Sequence, residues 1–176
     1  MATVRRWWPW LGLVARLIVG GVWIVAGWLK LPDPAESVRA VRAYQILPEA
    51  VVPSVGYALP VVEIAVGLLL VVGLGTRVVA AASTVMQVAF IIGISAAWVR
   101  GIQIECGCFG GGGATATDAT AKYPWDIARD VGLALTSMAI ALWPRTRLRL
   151  ETLLFSHSFD DRLDIDTDEL TEEIRG

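Results

Sequence analysis

The segment VVAAASTVMQVAFIIGISAAWV, residues 78–99, is the strongest indication of the fold class of this chain. It has no charged residue over twenty-two positions, and a helix of about 20 mostly apolar residues crosses the roughly 30 Å hydrocarbon layer of a bilayer. Two further segments, residues 10–29 and 51–74, carry one charge each. A fourth, residues 125–143, carries three charges near its start and has a tryptophan at each end. The sequence therefore predicts an all-α membrane protein, a four-transmembrane-helix bundle.

The composition of the whole chain agrees with this prediction and excludes several classes of protein. Of the 176 residues, 55% are hydrophobic and 18% are charged, and the mean hydropathy is +0.58. Soluble domains average about 25% charged residues. Two cysteines are too few for a disulfide-stapled small domain, and no basic surface indicates a nucleic-acid partner. We expect one transmembrane domain, residues 10–143, between a short N-terminus, residues 1–9, and a basic and then acidic tail, residues 144–176.

The distribution of lysine and arginine predicts the orientation in the membrane. Four crossings put both termini on one side, and cationic residues are enriched in short cytoplasmic segments beside helix ends. Six flank the helices on the side of the termini, and they are Arg5, Arg6, Arg77, Arg145, Arg147 and Arg149. Five lie in the longer loops on the other side, and they are Lys30, Arg39, Arg42, Arg100 and Lys122. We therefore expect cytoplasmic termini, loops 30–50 and 100–124 facing outward, and a multi-pass protein of the bacterial plasma membrane.

The tryptophans support the predicted ends of the helices. Seven of the eight lie near a predicted helix end, and only Trp23 lies deeper. Amphipathic aromatic rings collect at the headgroup level on both sides of a membrane. Anchoring therefore explains these residues better than a stacking site for a ring-shaped ligand does.

The two outward loops differ in their predicted structure. Residues 33–50 predict a short interfacial helix, broken by prolines before the second span. Its expected apolar face consists of Val38, Val41, Ile46 and Leu47. In the second loop, four glycines at positions 110–113 precede a run of small residues, 114–121. We expect this part of the loop to be mobile, because it has no apolar face to bury.

Both cysteines of the chain lie in the second loop, in the motif ECGCF of residues 105–109. A bond between Cys106 and Cys108 would close almost no loop, so it would stabilise the fold little, and strained disulfides are the reducible ones. This pattern favours an outward-facing redox pair over an inert local clip, in a compartment that permits disulfides. A metal site is not expected, because two thiolates fill half of a zinc tetrahedron and the single histidine, His157, lies in the tail.

Polar residues inside the predicted spans form a second candidate site. Arg16 and Glu63 each lie on a stripe of small residues, and such stripes let helices approach closely in lipid. We expect both to face the interior and to pair across it, with Gln87 of the third span nearby and Lys30 close to the outer end of the first stripe. An ionisable residue inside a membrane is a functional candidate. The alternative is an ion pair that only orders the bundle.

These motifs resemble the DoxX-like superfamily of small four-helix membrane proteins, and within it the MauE branch of methylamine utilisation. The resemblance covers residues 12–143, and its most specific part runs from Cys106 to Gly110. The other residues that carry it are Arg16, Gly20, Gly27, Lys30-Leu31, Tyr44 to Pro48, Leu59-Pro60, Glu63 and Gly67. Family members often open the fourth span with arginine-asparagine. Here Arg129 is followed by Asp130, so no family role is carried over to Asp130, and the acidic tail 155–176 lies outside the resemblance.

The resemblance implies a membrane protein of thiol redox pathways that works beside an exported thioredoxin-like partner. It also implies a link to quinones, because some DoxX-like relatives take part in quinone-dependent oxidation of thiosulfate. Our leading hypothesis is a thiol–disulfide oxidoreductase or its electron-relay subunit, with Cys106 and Cys108 as the exchanging pair. Because the chain has no second cysteine pair, a quinone or a partner protein must take up or supply the electrons. The residues of the buried proton or quinone site would be Arg16, Lys30, Glu63, Gln87 and Arg129.

Two alternatives belong to other classes of function. The protein would be a non-enzymatic scaffold if it only recruits an exported redox protein, through the glycine-rich loop and the acidic tail. It would be a small-molecule carrier if Glu63 binds the cargo, although four spans without inverted halves make this less favourable. The sequence leaves the direction of electron flow, the cofactor and the oligomeric state open.

Overall fold

Helices account for most of the described chain. In this computed structural model, residues 2–105, 107, 112–114 and 121–142 are described, with side chains from residue 10 onward. In chain order the elements are α1 (Ala2–Lys30), α2 (Pro34–Ala43), α3 (Val52–Val72), α4 (Thr76–Val99), β1 (Ile104–Glu105), β2 (Gly113–Ala114) and α5 (Tyr123–Leu142). The helices α1, α3, α4 and α5 correspond to the four predicted segments, and α1 begins well before the predicted span.

Local chemistry sets the ends of these helices. The carboxylate of Asp33 accepts a hydrogen bond from the backbone amide of Glu36 at 3.3 Å and caps α2, whose first residue is Pro34. The helix α3 ends at Gly73, which has φ +84°, a conformation that glycine adopts at no steric cost. Gly75, with φ +54°, then leads directly into α4. The turn between α3 and α4 is therefore short, and the two helices are adjacent in space.

The helices α1 and α3 approach each other closely along their glycines. A Cβ atom added at Gly20 would lie 2.9 Å from the carbonyl oxygen of Gly67, and one added at Gly67 would lie 2.7 Å from that of Gly20. A Cβ atom at Gly27 would lie 2.7 Å from the carbonyl oxygen of Pro60. Real side chains do not tolerate such distances, so the missing side chains are what allows the two backbones to touch. The predicted small-residue stripes are confirmed at these positions.

The four long helices surround a common interior. The helix α1 packs against α3 and α5, and α4 packs against the same two helices. The apolar part of the interior is formed by Val19, Trp23, Val66, Leu70, Ala80 and Ile140. Large apolar side chains also cover the outside, for example Leu11, Ile18, Val61, Val78 and Ile92. An apolar outer surface of this extent is typical of helices in contact with lipid.

Three helical segments are long and apolar enough to cross a membrane. They are Trp10–Lys30, Val52–Val72 and Thr76–Val99, and no other helix within the described ranges meets that standard. The helix α5 has 20 residues, but Asp126, Arg129 and Asp130 lie in its first turns. A helical membrane protein with several crossings is confirmed, while the fourth crossing and the side of the termini stay predictions.

The first loop matches its prediction only in part. The predicted helix exists as α2, and Val38 is buried against Gly56 of α3, since a Cβ atom at Gly56 would lie 2.6 Å from the Val38 Cα. However, α2 ends at Ala43, so Ile46 and Leu47 lie beyond it and are 50% and 41% exposed. The prediction of one continuous apolar face was wrong for these two residues, because the chain leaves the helical path before reaching them.

Part of the second loop is packed, although a mobile segment without a core was predicted. Gly113 and Ala114 form β2 and pair in antiparallel register with Glu105 and Ile104 of β1. Ile104 is 1% exposed, and its backbone amide donates to the hydroxyl oxygen of Tyr123 at 2.9 Å. The prediction of a mobile run was wrong at Gly113 and Ala114, because they pair with β1, whose backbone also bonds a buried tyrosine at the start of α5. Residues 110, 111 and 115–120 of that run lie outside the described residues.

The exposure of the tryptophans agrees with anchoring at the membrane surface. Trp10, Trp28, Trp98 and Trp125 are exposed and lie near helix ends, whereas Trp23 is buried. The side chains of the other three lie outside the described residues, and these are Trp7, Trp8 and Trp143.

Candidate functional site

Arg16 is buried at the C-terminal end of α3. Its Nε donates to the carbonyl oxygen of Leu70 at 2.9 Å, and its Nη2 donates to that of Val71 at 3.1 Å. Carbonyls in the last turn of a helix have no further helical amides to bond and carry partial negative charge. Gly73 leaves room for the guanidinium, because a Cβ atom there would lie 2.5 Å from Arg16 Nη2. Arg16 therefore stabilises the end of α3.

Glu63 pairs with Lys30, and not with Arg16 as the sequence predicted. Lys30 Nζ lies 2.5 Å from Glu63 Oε1, and the side chains are 4% and 1% exposed. The ammonium also lies 6.0 Å from the centre of the Phe90 ring on α4, a distance at which the face of a ring attracts a cation. The prediction that Arg16 and Glu63 face the interior is confirmed. The prediction that they pair with each other was wrong.

The tilt of helical side chains explains why Lys30 is the partner. Side chains in a helix lean toward its N-terminus, and α1 and α3 run in opposite directions. The Lys30 side chain therefore leans from the C-terminal end of α1 back toward the middle of the bundle. The Glu63 side chain leans the opposite way, toward the end of the bundle where Lys30 lies, so the two meet. Arg16 leans away from both. Its contact Val71 lies eight residues beyond Glu63 on α3, which is about 12 Å along the helix at ~1.5 Å per residue.

A chain of polar side chains crosses the interior beside this ion pair. Trp23 Nε1 donates to Ser83 Oγ at 2.7 Å, and the hydroxyl oxygens of Ser83 and Ser137 lie 3.1 Å apart. Ser137 Oγ donates to Gln87 Oε1 at 3.3 Å. Buried polar groups need such partners where water is absent. Gln87 lies in the interior as predicted, whereas Ser83 and Ser137 were missed, because one serine in an apolar helix gives no spacing signal.

A cluster of charged groups lies at the start of α5. Arg129 Nη1 is 3.1 Å from Asp126 Oδ1, and Arg129 Nη2 is 2.9 Å from Asp130 Oδ1. Asp130 is 4% exposed. The sequence predicts no role for Asp130, because proteins that resemble this chain often have asparagine at this position. The departure from that pattern is itself the signal that could have directed attention to it.

The buried groups from four helices meet at a small cavity. Its volume is about 30 Å³, and its polar lining consists of Trp23, Glu63, Gln87, Arg129 and Asp130. Lys30 adjoins the cavity through its ion pair with Glu63. Of the predicted residues of the buried site, the structure brings Lys30, Glu63, Gln87 and Arg129 together. It leaves Arg16 apart, at the opposite end of α3.

A larger and mostly apolar pocket lies between α2, α3 and α4. Its volume is about 290 Å³, and Val41, Tyr44, Leu59 and Met86 are among the residues that line it. Phe90 lines both this pocket and the smaller cavity, so the two adjoin at this residue. Burial raises the pKa of the Tyr44 phenol above its ordinary value, and the charge of Asp130 raises it further. Tyr44 therefore keeps its hydroxyl proton at neutral pH.

The structure describes the frame of the cysteine motif. Glu105, the first residue of the motif, ends β1, and β2 begins at Gly113. Gly107 has φ +67°, and a Cβ atom there would lie 3.0 Å from the Cβ of Ala40 on α2. Side chains rarely adopt this φ, so the position suits glycine for two separate reasons. Cys106, Cys108 and His157 lie outside the described residues, and the roles of the cysteines and the expectation of no metal stay predictions.

Apolar helices around a buried polar cluster define this chain as a multi-pass membrane protein associated with a lipid bilayer. The family model for the methylamine utilisation protein MauE matches residues 8–144, which is most of the chain. The chain therefore belongs to the MauE family. No curated protein and no solved structure is significantly similar to it.

Proposed function

We propose that this protein is a membrane thiol–disulfide redox protein with an accessory role in methylamine utilisation. In this proposal Cys106 and Cys108 exchange electrons with an exported thioredoxin-like partner. The protein acts in the bacterial plasma membrane, with α5 as a fourth crossing, cytoplasmic termini and the cysteine pair on the outer face. Membership of the MauE family supports the membrane and methylamine part of this proposal.

The conformation of Gly107 is the observation that supports the redox part of this proposal. The residue between the two cysteines has φ +67° and packs against α2, and Gly112 on the far side of the motif packs against the same residue, Ala40. A mobile linker would need no such fit. A motif whose central residue is held in a left-handed conformation supports a pair with a defined geometry, as redox chemistry between neighbouring sulfurs needs.

The proposed exchange runs through a mixed disulfide. A thiolate on one protein attacks the disulfide of the other, and the second thiol then releases the mixed bond. The dithiol that becomes oxidised loses two electrons and two protons, and the disulfide that becomes reduced gains them. Lys122 Nζ lies 3.7 Å from Glu105 Oε1, immediately before Cys106 in the chain. A nearby cation favours the thiolate, so Lys122 is our candidate for activating the pair.

The single cysteine pair needs a second redox partner. A quinone, when bound, supplies an acceptor of two electrons and two protons. The apolar pocket of about 290 Å³ fits a ring of this kind, because the described residues that line it are apolar or aromatic. Tyr44 and Phe90 would contact the ring. A partner protein in place of the quinone is the competing source or sink of electrons.

The deciding experiment is the replacement of both cysteines by serine. Because the pair closes almost no loop, Cys106→Ser with Cys108→Ser should leave the protein inserted and nearly as heat-stable as wild type. The single variant Cys108→Ser should form a mixed disulfide in membranes, and mass spectrometry should identify a thioredoxin-like protein attached to Cys106. A double serine variant that retains full function in methylamine-dependent growth would favour the scaffold. One that fails to insert would make the pair structural, and both results contradict the redox proposal.

A gentler test changes only Gly107. Gly107→Val keeps both sulfurs but excludes the left-handed conformation, so the oxidised form should lose stability relative to the reduced form and the reduction potential should rise. Gly101→Val is the matched control. Gly101 also has φ +67°, but a Cβ atom there would meet no atom within 4 Å. Equal potentials in wild type and Gly107→Val, measured against a glutathione series, would contradict the proposed geometry.

A further inference from the structure

We propose that Glu63 and Asp130 share one proton through a water molecule bound in the cavity between α1, α3, α4 and α5. The site is independent of the cysteine motif. It involves the carboxyl groups of Glu63 and Asp130, and the sequence predicts a role only for Glu63. The observations that carry it are two buried oxygen atoms without partners, the size of the space beside them, and the charges around it.

Each carboxyl group has one oxygen atom in a hydrogen bond and one without a partner. Glu63 Oε1 accepts from Lys30 and Asp130 Oδ1 accepts from Arg129, whereas Glu63 Oε2 and Asp130 Oδ2 are buried and without a hydrogen-bond partner among the described residues. Glu63 is 0% exposed and Asp130 4%. A buried carboxylate oxygen without a hydrogen-bond partner destabilises the folded protein. Both residues line the same cavity, so we infer one ligand there that partners both oxygen atoms.

The cavity has the size for a water molecule and several polar residues in an otherwise apolar wall. Its volume of about 30 Å³ exceeds the ~10–15 Å³ that one water needs, and a buried water needs two to four polar partners. Glu63, Asp130 and the amide of Gln87 are three candidates on its wall. The space is too small for a substrate or a quinone. Calcium and magnesium are disfavoured, because they take six or more oxygen ligands.

The charged side chains around the cavity are balanced if one proton is bound. The cations facing this region are Lys30 on α1 and Arg129 on α5, and the carboxyl groups are Glu63 on α3 and Asp126 and Asp130 on α5. From α4 the polar group is the uncharged Gln87, and from the end of α2 it is the neutral phenol of Tyr44. Two positive and three negative groups leave one excess negative charge among the described residues. Glu63 and Asp130 are more deeply buried than Asp126. An excess charge on them is costly in a membrane interior, and one bound proton removes it.

A shared proton would make this cluster a proton store inside the membrane. The cavity and the apolar pocket share Phe90 as a wall. If the proposed quinone chemistry occurs in that pocket, the pair lies one side chain away as a donor or acceptor of protons. The site itself does not depend on that chemistry, because no cysteine takes part in it.

Infrared spectroscopy on the purified protein in lipid tests the proposal. A protonated carboxylic acid has a carbonyl band that an ionised carboxylate lacks, and the band shifts in deuterated water. We expect this band at neutral pH in the wild type. It should disappear in Asp130→Asn and in Glu63→Gln, because each variant removes the excess charge and leaves the remaining carboxyl ionised.

The controls separate this proposal from misfolding and from the thiol chemistry. Glu49→Gln removes an exposed carboxylate that is paired with Arg42, and it should keep the band. The variant with both cysteines replaced by serine should keep it too, whatever the outcome of the redox experiments. Absence of the band from the wild type, or its persistence in both Asp130→Asn and Glu63→Gln, would overturn the proposal. A band that appears only after sodium is removed would indicate a cation in the cavity, and would also overturn it.

Discussion

Among the single residues, Lys30 is notable because burial of its charge is energetically costly. Lys30 is the last residue of α1, where a lysine would ordinarily extend to the membrane surface. It is 4% exposed, because its side chain leans back along the helix to reach Glu63. Removal of a charge from water costs several kcal/mol, and only close pairing offsets that cost. Each member of this pair therefore depends on the other.

The pairing of Lys30 with Glu63 predicts strong coupling between them. Lys30→Leu or Glu63→Leu alone leaves the remaining member of the pair buried without its close counter-ion, and each should lower the free energy of unfolding by ~3–5 kcal/mol. The double variant should lose less than the sum of the two. The measurement is unfolding in mild detergent by denaturant or heat. Arg16→Leu is the matched control, and its effect should add to that of Glu63→Leu within ~0.3–0.5 kcal/mol. Coupling of Glu63 to Arg16 instead of Lys30 would contradict the structure.

The sequence could predict which of these residues are buried, but not which of them pair. Stripes of small residues identify the inward face of a helix, and on that basis Arg16 and Glu63 are correctly assigned to the interior. The choice of partner depends on the offset of the two helices along their axes and on the direction of each side chain. The spacing of residues within one helix predicts neither. Asp130 shows a further limit, since its role arises from neighbours on three other helices.

At the scale of elements, close helix contact holds α1 to α3. Gly20 and Gly21 are adjacent in sequence but differ completely in surroundings. A Cβ atom at Gly20 would lie 2.8 Å from a Val71 methyl group and 2.9 Å from the carbonyl oxygen of Gly67, whereas one at Gly21 would meet nothing within 4 Å. The two positions therefore form a natural pair for testing whether contact or flexibility is the reason for glycine.

Alanine at these two positions should have opposite effects. Gly20→Ala forces the helices apart and should destabilise the protein by ~1–3 kcal/mol, as overpacking does. Gly21→Ala adds a methyl group in open space and should be neutral or stabilising by up to ~1 kcal/mol, because alanine favours a helix over glycine. Thermal unfolding of the two variants in the same detergent measures the difference. Equal effects would mean that α1 and α3 do not touch at Gly20.

Tyr123 connects α5 to the hairpin that frames the cysteine motif. Its hydroxyl accepts from the Ile104 amide at 2.9 Å and donates to the carbonyl oxygen of Ile102 at 2.8 Å. The sequence could not predict this hairpin, because each strand has two residues and one of them is glycine-rich. The packing of β1 depends instead on a single tyrosine that lies about twenty positions further along the chain.

Loss of one hydroxyl group should therefore loosen the frame of the motif. Tyr123→Phe leaves the buried Ile104 amide without its partner, which costs ~1–3 kcal/mol. Amide hydrogen exchange of Ile104 and its neighbours should accelerate, and alkylation of the reduced cysteines should become faster. Tyr57→Phe is the control, because Tyr57 is 55% exposed on α3 and should change neither rate. Unchanged exchange at Ile104 would show that other contacts hold the hairpin.

For the molecule as a whole, the number of membrane crossings determines on which side of the membrane the loops and the tail lie. Three segments are long and apolar enough to cross a membrane, and α5 differs from them by the charges at its start. Those charges do not exclude α5 from the bilayer, because Arg129 pairs with both Asp126 and Asp130 and all three are at least partly buried. Together with α1, α3 and α4, the helix lines the cavity beside Glu63 and Asp130. A helix that closes a buried site in this way is expected to cross with the others.

Labelling of cysteines in intact cells tests the crossings and the orientation together. With a membrane-impermeant thiol reagent after mild reduction, the native pair should be labelled from outside. In the background without native cysteines, Glu49→Cys in the other predicted outward loop should be labelled as well. Ser156→Cys in the tail should react only after the cells are permeabilised, because an even number of crossings returns the chain to the cytoplasm. Labelling of Ser156→Cys from outside together with Glu49→Cys would remove the fourth crossing. Labelling of Ser156→Cys alone from outside would reverse the orientation, and Cys106 and Cys108 would then face a reducing compartment, where the proposed partner could not reach them.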